Sequence, residues 1–308
     1  MEISCDTLQT LRIPLGTRDL IGKDIHIRRH LINTCINEFK KYGGVELDTP
    51  VIETKTSITE LYGEEFNKLV YTLSDSNDKL NEHNIFMRYD LTLPFARYIT
   101  MNNLKHFRRY QIGKVYRKDD PQISKGRYRE FYQCDFDIID VNNETRINEY
   151  EILDLFDNVL NKLLNDTYLI KFNDRRFIKE LLNKCNILDD DITTVSTVLD
   201  KLGKKSFDEL KQELLDKKIN EISINQIFKI YNDIQKTNYI TYFENLGIDS
   251  IKYIKQILQL NISNKIIFDP FIIRGMDYYT GIIFEAEYTN KELMPSSIGG
   301  GGMFTCRQ

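Results

Sequence analysis

Near the amino end, Ile25, Leu31, Ile32, Cys35, Ile36 and Phe39 recur at helical spacing, which predicts an amphipathic helix. Gly43-Gly44 then interrupts the pattern, as glycine beyond a last turn does. Val45 to Ile52 reads as extended and carries Pro50, which suits a strand end or an edge better than a central strand. A second extended segment runs from about Phe107 to Arg117. The most informative strand is Phe131 to Ile139. Tyr132, Cys134, Phe136 and Ile138 share one face of it, and Gln133, Asp135 and Asp137 share the other. One face is therefore expected on a core, and the other presents a row of acceptors. From Glu144 to Asn165 the apolar positions Ile152, Leu155, Phe156, Val159, Leu160, Leu163 and Leu164 return to helical spacing.

From Asn173 to Ser263 the chain becomes rich in Lys, Asp, Asn, Ile and Leu, with several short helical patterns and no strand alternation. Strand signals resume at Lys265 to Phe268 and at Gly281 to Tyr288. Sheet, helices and sheet again predict an α+β protein. Its organisation is read as a core over 1–172, a helical insertion over 173–263 and a return of the core over 264–308.

A chain of 308 residues with 41% hydrophobic content can bury more than one packing unit. The formal net charge of -4 argues against a surface that grips nucleic acid everywhere, which leaves local basic stretches to consider. The five cysteines are scattered and include no Cys-x-x-Cys pair, so neither a disulfide framework nor a structural zinc site is expected, and the cytosol is the default compartment. The amino end shows no signal-peptide or transit pattern, and no uncharged apolar run is long enough to span a bilayer.

Between Lys105 and Arg129 stand nine Lys/Arg against two acids, Asp119 and Asp120. Such a run is either a solvated charged hairpin or a polyanion site. Tyr110, Tyr116 and Tyr128 interleave with the cations and offer stacking faces, and the run leads directly into the strand bearing Gln133 and Asp137. Both features favour a polyanion site. Neither a P-loop nor a Gly-x-Gly-x-x-Gly loop is present, so a nucleotide would have to be held by arginines.

Four stretches then resemble class II aminoacyl-tRNA synthetases, and among them the eukaryotic-type histidyl enzymes. Arg88-Tyr89-Asp90-Leu91-Thr92-Leu93-Pro94-Phe95-Ala96-Arg97 is similar to their amino-acid-binding segment. Gly113-Lys114-Val115-Tyr116-Arg117, continued by Gly126-Arg127-Tyr128-Arg129-Glu130-Phe131-Tyr132-Gln133-Cys134-Asp135-Phe136-Asp137, resembles their second class motif. Arg274-Gly275-Met276-Asp277-Tyr278-Tyr279-Thr280-Gly281 resembles a signature of the histidyl enzymes, and Leu15-Gly16-Thr17-Arg18-Asp19 resembles the entry to the fold. The helix before Pro50 is similar to the first class motif. The resemblance covers nearly the whole chain in the family's order.

What the resemblance implies is specific: a class II catalytic fold with an antiparallel sheet flanked by helices, and a ligase that activates histidine with ATP and transfers it to tRNA(His). Around the histidine it places Asp90, Leu91, Thr92, Arg117, Gln133, Asp137, Arg274, Tyr278 and Tyr279. Arg117 and Arg274 are the implied catalytic cations at the α-phosphate, and Arg117, Arg127 and Arg129 the contacts to ATP and the tRNA acceptor end. Mg²⁺ would accompany the ATP phosphates, with no resident metal. A homodimer through the first class motif, a cytoplasmic location and no membrane association complete the expectation. After Gly299-Gly300-Gly301-Gly302 the family continues with an Arg-Tyr-Asp segment, a third class motif and an anticodon-binding domain. Here the chain reads Met303 to Gln308, so carboxyl-terminal truncation is expected. The alternative from another class is a catalytically impaired regulator or sensor that binds histidine or tRNA, or a gene fragment.

Overall fold

The computed structural model describes residues 12–54, 68–73, 85–141, 146–202, 205–234, 238–273, 279–294 and 296–305. The chain divides into two compact units, Met1–Glu144 with Gln308, and Thr145–Arg307.

In the first unit, helix α1 (Lys23–Lys41) has Asp24 in its first turn and Lys40 and Lys41 in its last, charges that suit the helix dipole at both ends. Strand β1 (Val45–Glu46) follows, and after Pro50 comes β2 (Ile52–Thr54). The proline thus divides the expected extended segment between two sheets. Strand β2 pairs antiparallel with β4 (Ile85–Met87), which also pairs with β3 (Thr72–Leu73). Helix α2 (Thr92–Asn102) leads into β5 (His106–Tyr116), and β5 pairs with β6 (Glu130–Asp140) in unbroken antiparallel register. Strand β1 lies parallel on the other side of β5, which gives the order β1-β5-β6.

The predicted two-faced character of β6 holds at Cys134 and Phe136, whereas Tyr132, expected on the core face, is exposed. Phe39 on α1 meets Phe136 at 5.5 Å between ring centres and Tyr110 of β5 at 5.7 Å. One helical turn earlier, Cys35 hydrogen-bonds with Cys134, two residues back along the strand. That hydrogen bond and burial hold the Cys134 thiol protonated. Cys35, Cys134 and Cys185 are free thiols. On the far side of the sheet, α2 is tied to β2 by a two-pronged ion pair in which Arg97 Nε and Nη2 donate to the buried Glu53 carboxylate at 2.7 and 2.8 Å.

The second unit opens with α3 (Ile147–Leu164), within the helix predicted for 144–165. Next is β7 (Tyr168–Asp174), a strand the sequence reading did not anticipate. Six helices follow among the described residues: α4 (Arg175–Lys184), α5 (Ile192–Leu199), α6 (Phe207–Asp216), α7 (Glu221–Ile234), α8 (Tyr239–Asn245) and α9 (Ile251–Gln259). They coincide with the helical stretch expected over 173–263. Strands β8 (Ile266–Phe268), β9 (Tyr279–Tyr288) and β10 (Ser297–Phe304) complete a sheet of order β10-β9-β7-β8. The pairs β9–β10 and β7–β9 are antiparallel, while β7–β8 is parallel. A single apolar core joins helices and sheet. In it Phe177 is fully buried and meets Phe243 at 4.9 Å and Phe268 at 5.3 Å, both edge-on. Among the described residues, no helix is long and apolar enough to cross a membrane.

Phe177 therefore sits where helices and strands share one core. Truncation of Phe177 to Ala should destabilise the protein by about 3–5 kcal/mol in urea unfolding, the usual cost of deleting a well-packed ring. A loss below about 1 kcal/mol would show that the helices pack independently of the sheet.

Candidate active site

The β5–β6 hairpin supplies the site's floor. Along β6, Gln133, Asp135 and Asp137 share the face opposite Cys134 and Phe136. Directly across from Asp137 in the register stands Arg109 of β5. Its side chain is 0% exposed, and Nη2 lies 2.6 Å from Asp137 Oδ2. The same Nη2 donates a hydrogen bond to the Leu91 carbonyl at 2.9 Å, and the guanidinium carbon lies 4.5 Å from the centre of the Phe95 ring. One arginine thus touches β6, the entry to α2 and the body of α2.

The segment before α2 is fixed from below by a second buried arginine. Arg88 Nε donates to the Lys114 carbonyl and Nη1 to the Thr49 carbonyl, each at 2.8 Å. Gly113 leaves the space this requires, because a Cβ there would collide with Arg88 Nη2. Asp90 is buried, and its Oδ1 accepts from the Leu93 N–H at 3.0 Å, which satisfies an otherwise orphaned donor of the first turn. Thr92 is the first residue of α2 and half-buried.

Arg117, just past the end of β5, is held as a flat plate. Its Nε donates to the Tyr89 carbonyl at 3.3 Å, and its guanidinium stacks on Tyr89 at 4.2 Å and on Phe131 at 5.0 Å. Among the described residues no acceptor engages its two terminal amino groups.

Three carboxylates and two guanidiniums therefore act on one another here. Burial is the main cause that pushes Asp135 up to about 7; Arg109 and Arg117 oppose the shift, and Asp137 and Asp90 add to it. Burial likewise raises Asp137, with Arg109 opposing and Asp90 adding. Buried polar atoms normally find partners. Yet among the described residues Gln133 Oε1, Asp137 Oδ2 and both Nε and Nη1 of Arg109 have no hydrogen-bond partner. Asp137 Oδ2 and Arg109 Nη2 form an ion pair at 2.6 Å without hydrogen-bond alignment, while Nη2 donates to the Leu91 carbonyl. Donors and acceptors left over on one sheet face, around a shared cluster of charge, are what a small polar ligand needs.

The comparisons with known proteins agree on one family. A family model described as histidyl-tRNA synthetase matches residues 16–305. The cytoplasmic histidine–tRNA ligase of Oryza sativa is 38% identical over 96% of this chain and 39% of its own length. The histidine–tRNA ligase of Danio rerio is 37% identical over 93% of this chain and 57% of its own. The chain belongs to the histidyl-tRNA synthetase family. It spans about half the length of these curated relatives. A histidyl-tRNA synthetase structure from Nostoc has the same fold, with a TM-score of 0.77 at 22% identity over 96% of this chain and 69% of that one.

Of the residues singled out by resemblance to the histidyl-tRNA synthetases, Asp90, Leu91, Thr92, Arg117, Gln133 and Asp137 all belong to this first unit and to the elements just described. Arg127 and Arg129 lie in the loop between β5 and β6. Arg127 is exposed; Arg129 Nε donates to the Asp119 carbonyl at 3.1 Å, and its backbone N–H donates to the Gly16 carbonyl at 2.7 Å. Tyr279 begins β9 in the second unit, pairs with Phe304 and lays its ring over Gly302. Arg274 and Tyr278 lie outside the described residues.

The basic run needs correction. It is not one polyanion face. Arg109 is core, and Tyr110 is 1% exposed with its hydroxyl donating to Glu46 Oε2 at 3.0 Å, so it offers no stacking surface. Arg108 donates to the Tyr42 carbonyl, and Lys114 pairs with Glu130 at 2.7 Å. Lys118, Lys125 and Arg127 remain exposed near the hairpin loop. Sequence reasoning missed Arg109 and Asp135 as site residues. Strand alternation already placed Asp135 with Gln133 and Asp137, while the charge run concealed Arg109.

Asp135 gives a pH signature. Its folded pKa, about 7, lies above the ordinary carboxylate value of 3.8 that the unfolded chain shows. Between those values the folded state holds a proton that the unfolded state has released, so this group's contribution to stability falls as pH rises from about 4 to about 7. Asp135→Asn removes the titration. The Tm of the variant relative to the parent should therefore rise from pH 5 to pH 8, read by differential scanning calorimetry. A constant difference across that range contradicts the assigned environment.

Proposed function

We propose that this chain is the catalytic portion of a histidine–tRNA ligase, which activates histidine with ATP and passes it to the 3′ end of tRNA(His). The observation carrying this reading is the charge pattern on the inner face of β5–β6. Asp90, Asp135 and Asp137 face Arg109 and Arg117, and an arriving α-ammonium group would favour the ionised forms of the buried Asp135 and Asp137. Gln133 and Asp137 supply acceptors for that ammonium and for the ring N–H of a neutral imidazole. A site whose buried polar groups match an imidazole rejects analogues that lack it, because those groups would stay unpaired.

In the first half-reaction the histidine carboxylate oxygen attacks the α-phosphorus of ATP, the bond to the β-phosphate oxygen breaks and pyrophosphate leaves. Negative charge grows on the α-phosphate oxygens. Arg117, held flat by Tyr89 and Phe131 and with both terminal amino groups uncommitted among the described residues, is placed to receive it. Because its plate is set by stacking before ligand arrives, little reorganisation accompanies the reaction. In the second half-reaction a ribose hydroxyl of the tRNA attacks the aminoacyl carbonyl and AMP departs. Mg²⁺ belongs to the ATP it accompanies. Arg274, Tyr278 and Tyr279 belong to the same reading through the family signature, as do Arg127 and Arg129 at the tRNA end.

The wider organisation follows from the same reading. Residues 1–172 and 264–308 make up the catalytic core, and 173–263 the helical insertion. A homodimer formed on the α1 side is supported by the exposed apolar Ile27 and Leu31 of α1 and by the exposed Val45 that follows it. A cytoplasmic location is supported by the scattered cysteines and the rice relative's name.

Pyrophosphate exchange into ATP tests the proposal. Exchange should require L-histidine, and Arg117→Ala should lower its rate by about 10²–10³, the usual effect of deleting one fixed transition-state donor. A folded chain with no histidine-dependent exchange would refute the ligase reading, and histidine binding without exchange would make it a binding module instead.

A further inference from the structure

We propose that Arg109 is a positioning residue of the amino-acid site: from inside the sheet it holds the Asp137 carboxyl group in place and joins it to the entry of α2. This rests on the reading of the β5–β6 face as the histidine site. The observations behind it are geometric. Arg109 and Asp137 are register partners in the hairpin, 2.6 Å apart between Nη2 and Oδ2. The Leu91 carbonyl, next to Asp90, accepts from the same nitrogen at 2.9 Å. Phe95, one turn into α2, covers the guanidinium at 4.5 Å.

A buried ion pair of this kind is a poor device for stability alone, since a well-packed apolar pair of the same volume does as well or better. Its value lies in what it holds. Asp137 is surrounded by burial and by the like charge of Asp90, both of which favour its protonated form, and Arg109 is the cation that opposes them. Without Arg109, Asp137 would lose the cation that opposes its protonation, and with it part of its capacity to accept from the amino acid. The strand would also lose its link to Leu91, so the start of α2 could shift relative to Gln133 and Asp137 within what the Arg88 anchor allows. A displacement of that size is costly in a site whose ligand is short. Arg117, by contrast, is held by Tyr89, beside the Arg88 anchor, and by Phe131 of β6, so the nucleotide end of the site depends on Arg109 less than the carboxylate end does.

The consequence is selective. Isothermal titration of the full chain with L-histidine and, separately, with ATP reads it. Arg109→Met should weaken histidine by at least about tenfold and leave ATP within about twofold, a coupling in the range usual for contacting charges. Arg109→Lys, which keeps the charge and loses the fork, should recover part of the histidine affinity. Asp137→Asn alone should weaken histidine, and the Arg109→Met/Asp137→Asn double variant should be no weaker than the worse single one, because both act through one acceptor. Circular dichroism confirms the fold of each variant; if Arg109→Met does not fold, Arg109→Lys and Asp137→Asn still decide. Equal losses of histidine and ATP affinity, or additive losses in the double variant, overturn the proposal and leave Arg109 a structural residue. A parent chain that binds ATP but no histidine overturns the reading of the site itself, and this inference with it.

Discussion

At the centre of the first unit a guanidinium with no exposed surface faces a carboxylate 2.6 Å away across two antiparallel strands. Burying either charge alone would cost several kcal/mol, and even as a pair they gain little over apolar neighbours. The surroundings are arranged to tolerate them. Arg109 spends a donor on the Leu91 carbonyl and lies against the Phe95 ring, and Asp137 keeps part of its side chain, 17%, in contact with solvent. Around this pair the other groups take their positions: Asp90 at the start of α2, Asp135 and Gln133 along β6, and Arg117 stacked at the end of β5. A ligand that brings a cation to the carboxylates and an anion to Arg117 completes both halves of the charge pattern. An amino acid joined to a nucleotide phosphate is such a ligand.

The two faces of β6 show how one strand serves packing and chemistry together. Cys134 and Phe136 meet Cys35 and Phe39 of α1, which anchors the strand. The intervening residues face the other way and need not contribute apolar burial. Gly113 and Arg88 do a related job beneath the site, where a missing Cβ lets a buried guanidinium span the Thr49 and Lys114 carbonyls. The polar groups that make the site are thus carried by backbone fixed elsewhere, which keeps their geometry from depending on the ligand.

Much of this was legible in the sequence where a periodicity had a single explanation. The alternation from Phe131 to Ile139 could describe only a strand with one covered face, and the spacing from Ile25 to Phe39 only a helix. Pro50 was readable as a strand boundary, although not as the switch from one sheet to another. Strand β7 escaped because its polar residues are buried by pairing and not by periodicity. Lys171 lies between Asp269 at 3.2 Å and Glu287 at 3.3 Å, and Asn173 donates to the Pro270 carbonyl. The basic run misled for the converse reason. Charge that looks exposed in a linear count, as at Arg108, Arg109 and Lys114, is consumed by partners brought close only in the fold. Arg109 is the sharpest case, since its meaning depends on a residue 28 positions later that the register places opposite it.

The most direct test of the central claim is a crystal structure of this chain soaked with L-histidine and an unreactive ATP analogue. The account predicts the α-ammonium and imidazole within hydrogen-bond distance of the carboxylates and Gln133 on the inner face of β5–β6, the α-phosphate against Arg117, and Arg109 unmoved beneath Asp137. Histidine bound anywhere else, with that face occupied only by water, would contradict it.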